Sequence, residues 1–106
     1  MKIRSSLYLF AALPVFLVQP AFSQSANTLH ARNLAASCAV CHGTNGNSVG
    51  GMPALAGLER GYLIKQLKDF KSGARPATVM HQHAKGYTDT EIDQLADFFA
   101  NQKPTK

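Results

Sequence analysis

The chain's 106 residues have room for one domain, and part of that length reads as a removable leader. Residues 24–106 hold nine Lys or Arg and six Asp or Glu, a formal charge of +3. That excess can steer docking onto an acidic partner, but it is too small and too dispersed for nucleic-acid binding. A domain of this size buries little apolar surface and ordinarily recruits a disulfide, a metal or a large cofactor.

At the N-terminus, Lys2 and Arg4 precede an uncharged run from Leu7 to Val18, and Ala21-Phe22-Ser23 forms a small-x-small cleavage site. Residues 1–23 are therefore expected to be a cleaved signal peptide, placing residues 24–106 in the periplasm. A transmembrane anchor is the competing reading. The uncharged run contains Pro14 and falls well short of the roughly 20 residues that cross a bilayer, so no membrane anchor is expected after cleavage.

From Thr28 to Cys41, apolar or small residues at Leu29, Leu34, Ala35, Cys38 and Cys41 predict a first helix. Gly43 to Gly51 is rich in glycine, with Asn45, Asn47 and Ser48 among them, and predicts a surface loop that ends at Met52-Pro53. A second, amphipathic helix is predicted over Gly61–Ser72. Leu63, Ile64, Leu67 and Phe70 form its apolar side, Lys65, Lys68 and Lys71 run beside them, and Gly73 stops it. Evenly spaced lysines more often form a solvated face than a docking site. Ala74 to Tyr87, with Pro76, Gly86 and two histidines, predicts an extended or looped segment. Thr88 then stands three residues before Glu91, a capping box, and Ile92, Leu95, Ala96 and Phe99 continue at helical spacing as the final helix. No stretch alternates with period two, and the expected class is all-α.

Cys38-Ala39-Val40-Cys41-His42 carries the chemistry. Two thiols two residues apart can add to the two vinyl groups of a haem, and the next residue offers an imidazole to the iron. One covalently held macrocycle would also supply the apolar core that so short a chain lacks. Three other uses of the cysteines compete, and each explains less. A disulfide this short closes almost no chain entropy, a thioredoxin-like pair requires a βαβ context, and His81-x-His83 departs from the usual spacing of zinc ligands.

The CAVCH motif, the glycine-rich loop, Met52-Pro53-Ala54-Leu55-Ala56-Gly57, a methionine further on and the capped last helix together resemble the class I cytochromes c. The resemblance implies three to four helices around one haem c, with small residues such as Ala35 and Ala96 allowing the first and last helices to cross closely. It implies that Cys38 and Cys41 bind the haem covalently, that His42 is the proximal iron ligand, and that the backbone carbonyl of Pro53 steadies the His42 ring. For the distal ligand Met52, Met80, His81 and His83 are candidates. Position in the family pattern favours Met80, with His81 the main rival. Ligation by His and Met leaves no open coordination site and argues for electron transfer, not catalysis, at the iron. Tyr62, Tyr87, Arg60 and Arg75 are candidates to steady the haem propionates, though packing or solvation accounts for each as well.

Within that family the phrase CHGTNGNSVG is shared by the cytochrome c4 and c553 carriers and by the cytochrome subunit of flavocytochrome c sulfide dehydrogenase. Phe70-Lys71-Ser72-Gly73, Thr78-Val79-Met80 and Ala84-Lys85-Gly86-Tyr87 resemble the latter. That resemblance implies an FAD-containing flavoprotein partner that would hand single electrons to this chain, the flavin belonging to the partner. A free-standing electron shuttle of the c553/c4 type, serving an oxidase or reductase, is the alternative. Only one CxxCH is present, so a two-haem architecture is not expected.

Overall fold

The fold is known from a computed structural model that describes residues 22–105, with side chains from Ala26 onward. The predicted leader, apart from the backbone of Phe22 and Ser23, lies outside the described residues. Four α-helices follow in order: α1 (Phe22–His42), α2 (Arg60–Ser72), α3 (Met80–Lys85) and α4 (Asp89–Ala100), with a short 3-10 turn at Thr44–Gly46. Among the described residues there is no strand, and the all-α expectation holds.

Helix α4 is the most completely specified. Thr88 Oγ1 accepts from the Glu91 amide at 3.2 Å, and the Glu91 carboxylate accepts from the Thr88 amide at 2.8 Å, so two otherwise orphaned donors are satisfied together. Ile92, Leu95, Ala96 and Phe99 recur at helical spacing and all are buried. Ala35 of α1 belongs to the same buried cluster as Leu95, Ala96 and Phe99. The two alanines let α1 and α4 pack closely, as the resemblance implied. Tyr87 adds a polar tie across this junction, its hydroxyl lying 2.8 Å from Ser37 Oγ.

Helix α2 is capped by Glu59, whose carboxylate accepts from the Gly61 amide at 2.7 Å and the Tyr62 amide at 2.6 Å. It ends at Gly73, which takes the left-handed conformation (φ 82°) that a residue with a Cβ rarely adopts. Only Leu63 of this helix is buried, while Ile64 and Leu67 are partly buried against the cluster formed with α1 and α4. Its charged side is tied to α4 at both ends. Lys71 and Lys68 reach Asp89 at 2.9 and 3.8 Å, and Arg60 pairs with Asp97. Lys65 pairs with Asp69 within the same helix. The lysine row is thus engaged in ion pairs inside the chain.

The segment predicted to be extended or looped, Ala74 to Tyr87, contains α3. The Val79 carbonyl accepts from the amides of Gln82 (3.0 Å) and His83 (3.3 Å), and the Gly86 amide closes the far end on His83 O. Met80–Lys85 has no Pro, Gly or β-branched residue to oppose a helix. Six residues are simply too few for hydrophobic periodicity to register. Helix α1 also starts earlier than predicted, at Phe22 and not Thr28.

Candidate functional site

Cys38, Cys41 and His42 occupy the last turn of α1, where a three-residue separation puts two side chains on neighbouring parts of one helix face. Both thiols are free. Burial pushes the Cys38 thiol up in pKa, against opposing hydrogen bonds from Ser37 and Tyr87, whereas Cys41 is exposed. The helix stops at His42 because Gly43 turns the chain (φ 80°), and a Cβ there would lie 2.2 Å from the Asn47 carbonyl oxygen. Only glycine fits a turn closed this tightly.

Beyond that turn the chain arches back. Gly46, with φ 77°, is buried, and its carbonyl accepts from the amides of Leu55 (2.8 Å) and Ala56 (3.2 Å). A Cβ on Gly46 would come within 2.8 Å of the Phe99 ring and 2.9 Å of the Ala56 nitrogen. The loop base is thereby locked to α4. Pro53 lies on the returning limb of the arch, and its carbonyl oxygen is 2.6 Å from His42 Nδ1. A carbonyl can only accept, so Nδ1 must carry the proton, and Nε2 is left with a free lone pair able to bind a metal. The donor set therefore fits a haem at this position: two unpaired thiols, an imidazole in the metal-binding tautomer, and apolar side chains left exposed nearby in sequence. Val40 is 87% and Val49 100% exposed and Met52 about half exposed, as is Val79 on the distant segment just before α3. When bound, the haem supplies an iron that cycles between two oxidation states.

Met80 is the first residue of α3, and His81 follows within the same helix; both side chains are partly buried, while His83 is exposed. Met52 stands exposed just before Pro53. Among the described residues, no three His, Cys, Asp or Glu side chains come together as a metal-holding group, so the chain does not bring His81 and His83 to the cysteines as the zinc alternative requires. Three of the four propionate candidates have partners within the chain. Arg60 pairs with Asp97, Arg75 bonds Gln66 and stacks over the Phe70 ring at 4.8 Å, and Tyr87 meets Ser37; Tyr62 is half exposed. An open hollow of about 730 Å³ lies beside the glycine loop between Val40, Cys41, Asn47, Val49 and Thr105, and shares only Cys41 with the candidate haem-binding residues.

Sequence reasoning missed Asn47, whose side-chain amide bonds Lys103 and Thr105 at the other end of the chain. No local pattern announces a contact between residues so far apart in sequence.

A sequence model of the family described as cytochrome c matches residues 30–103. The chain is 50% identical over 68 residues to the cytochrome subunit of sulfide dehydrogenase from Chlorobaculum tepidum, a match covering 64% of this chain and 62% of that protein. It is 43% identical over 81 residues to a thiosulfate dehydrogenase electron acceptor from Stutzerimonas stutzeri, covering 74% of this chain and 38% of the relative. The solved structure of Acidithiobacillus ferrooxidans cytochrome c4 aligns with a TM-score of 0.61 at 30% identity, over 79% of this chain and 51% of that one. The chain spans less than two thirds of the length of each of these relatives. No described helix is long and apolar enough to cross a membrane. With a CxxCH at the end of α1, four helices among the described residues and the family match over residues 30–103, the chain belongs to the cytochrome c family, whose cofactor is covalent haem c.

Proposed function

We propose that residues 1–23 direct export and are removed, and that residues 24–106 work in the periplasm as the cytochrome subunit of a flavoprotein sulfide dehydrogenase. Electrons would arrive singly from a flavin on the partner subunit and leave to a soluble acceptor. The observation that carries this reading is the 50% identity over 68 residues to the Chlorobaculum tepidum subunit.

In the site, Cys38 and Cys41 hold the haem covalently, His42 Nε2 is the proximal ligand and Met80 the distal one. The Pro53 carbonyl at 2.6 Å from Nδ1 keeps the His42 ring in one orientation and raises its basicity as a ligand. Saturated ligation leaves the chain to pass electrons and not to bind substrate at iron.

A second reading, a free-standing shuttle, draws on the 43% identity to a thiosulfate dehydrogenase electron acceptor and on the likeness to cytochrome c4. Native purification separates the two. Haem bands accompanied by stoichiometric flavin absorbance are expected for the subunit, and haem bands on a small flavin-free protein would replace that reading with the shuttle. Oxidised and reduced spectra of the same material test the ligands, a weak far-red band of the ferric form being expected for methionine. Mass spectrometry of the N-terminus tests the leader, with Gln24 expected as the first residue.

A further inference from the structure

The arch that carries Pro53 is built with one conspicuous economy. From Ser48 to Ala54, the hydrogen bond found in the described chain is the one between Pro53 O and His42 Nδ1. The position of that carbonyl therefore depends on what holds the two feet of the arch. One foot is Gly46, bonded to Leu55 and Ala56. The other foot is the Leu55 end to which Gly46 is bonded, and beside Gly46 stands Asn47, whose side chain uses both its polar atoms on the C-terminal tail: Nδ2 donates to Lys103 O at 3.2 Å, and Oδ1 accepts from the Thr105 amide at 2.7 Å.

A primary amide that donates to one backbone carbonyl and accepts from an amide two residues on copies the pairing of a β-strand neighbour. It holds a tail that otherwise has no regular structure. The tail is pressed in from a second side, since a Cβ on Gly57 would lie 2.7 Å from Pro104 Cγ. Gly57 is itself bonded to the end of α4, its amide donating to Phe99 O at 2.9 Å. Asn47 thus adds a second connection, beside the close approach of Gly46 to Phe99, between the loop bearing Pro53 and the C-terminal end of α4.

We propose that the C-terminal tail, clamped by Asn47, is a positioning element for the proximal ligand: it holds the arch so that the Pro53 carbonyl stays on His42 Nδ1. The tail is hydrogen-bonded to Asn47 and acts on His42 through the arch. Weakening the clamp lengthens the hydrogen bond, makes the imidazole a poorer donor to ferric iron, and moves the reduction equilibrium toward the ferrous state.

The inference rests on His42 being the proximal ligand, and the tests of the two come apart. Wild-type spectra report on the ligand, whereas hydrogen exchange at the Leu55 and Ala56 amides reports on the arch whatever binds the iron. Holo-protein is made as wild type, Asn47→Ala, Asn47→Asp, a truncation after Gln102, and the truncation combined with Asn47→Ala. Asn47→Ala and the truncation are each expected to speed exchange at Leu55 and Ala56 severalfold and to raise the reduction potential. Asn47→Asp, which keeps the acceptor for the Thr105 amide, should fall between Ala and wild type. The combined variant should match the truncation alone, because the contact that Asn47→Ala removes is already gone there. An unchanged potential in Asn47→Ala, or potential shifts that add in the combined variant, overturns the proposal. If the truncation yields no holo-protein, the Ala, Asp and wild-type series still decides it.

Discussion

At the scale of single residues, the site is governed by one hydrogen bond whose direction is fixed by chemistry. The Pro53 carbonyl accepts, His42 Nδ1 donates, and Nε2 is thereby left as the atom that the proposed ligation would offer to iron. The distal side has no comparable constraint, so the proposal of Met80 rests on its position in the family pattern, at the start of α3 with His81 next to it. Met80→Ala is expected to abolish the far-red ferric band, lower the reduction potential and open the iron to carbon monoxide, since a thioether that favours ferrous iron has gone. A carbon monoxide titration with a reduced spectrum checks this. Binding by His81→Ala and not by Met80→Ala would transfer the distal role to His81.

At the scale of elements, helix ends and helix crossings carry the argument. The capping box of Thr88 and Glu91 was legible in the sequence because it is a three-residue pattern with a local cause. Thr88→Ala is expected to cost about 1 kcal/mol, read as a lowered midpoint in denaturant with an unchanged slope. The buried Ala96 faces the cluster that includes Ala35, so Ala96→Leu forces extra volume between α1 and α4 and should cost about 1–3 kcal/mol. A Leu variant as stable as the parent would mean that the two helices can separate without loss. Helix α3 was not legible, because six residues without a cap or an apolar repeat carry no helical signature until Val79 and Gly86 are seen closing its ends.

At the scale of the molecule, only Ile92 and Leu95 among large side chains are wholly buried in the described residues, which is a thin core for a chain of this length. Charge supports it from outside. Backbone amides of Gly61 and Tyr62 hold the Glu59 carboxyl below its ordinary range; Lys71, then Lys68, do so for Asp89; and Thr88 does so for Glu91. A carboxyl whose folded pKa is depressed binds its proton more readily in the unfolded chain, so its contribution is present above the unfolded values of 4.5 for Glu and 3.8 for Asp and is lost as pH falls below them. Thermal midpoints of the holo-protein should therefore drop as pH falls below 4.5, and a midpoint that stayed level down to about pH 3 would contradict this.

What the sequence alone determined is whatever has a short-range cause. Two thiols and an imidazole at fixed spacing, a cap three residues before its acid, a glycine where φ must be positive and an apolar row at helical spacing are each complete within a few residues. They suffice for the helical class, the haem and the first and last helices. What only the tertiary structure decided is whatever needs two distant segments at once: Asn47 on Lys103 and Thr105, Tyr87 on Ser37, Arg60 on Asp97, and Asp89 drawing Lys68 and Lys71 out of a free basic face. Polar side chains on a solvated surface have many available partners of similar energy, and only the packing of α1, α2 and α4 around their shared core selects which of them meet.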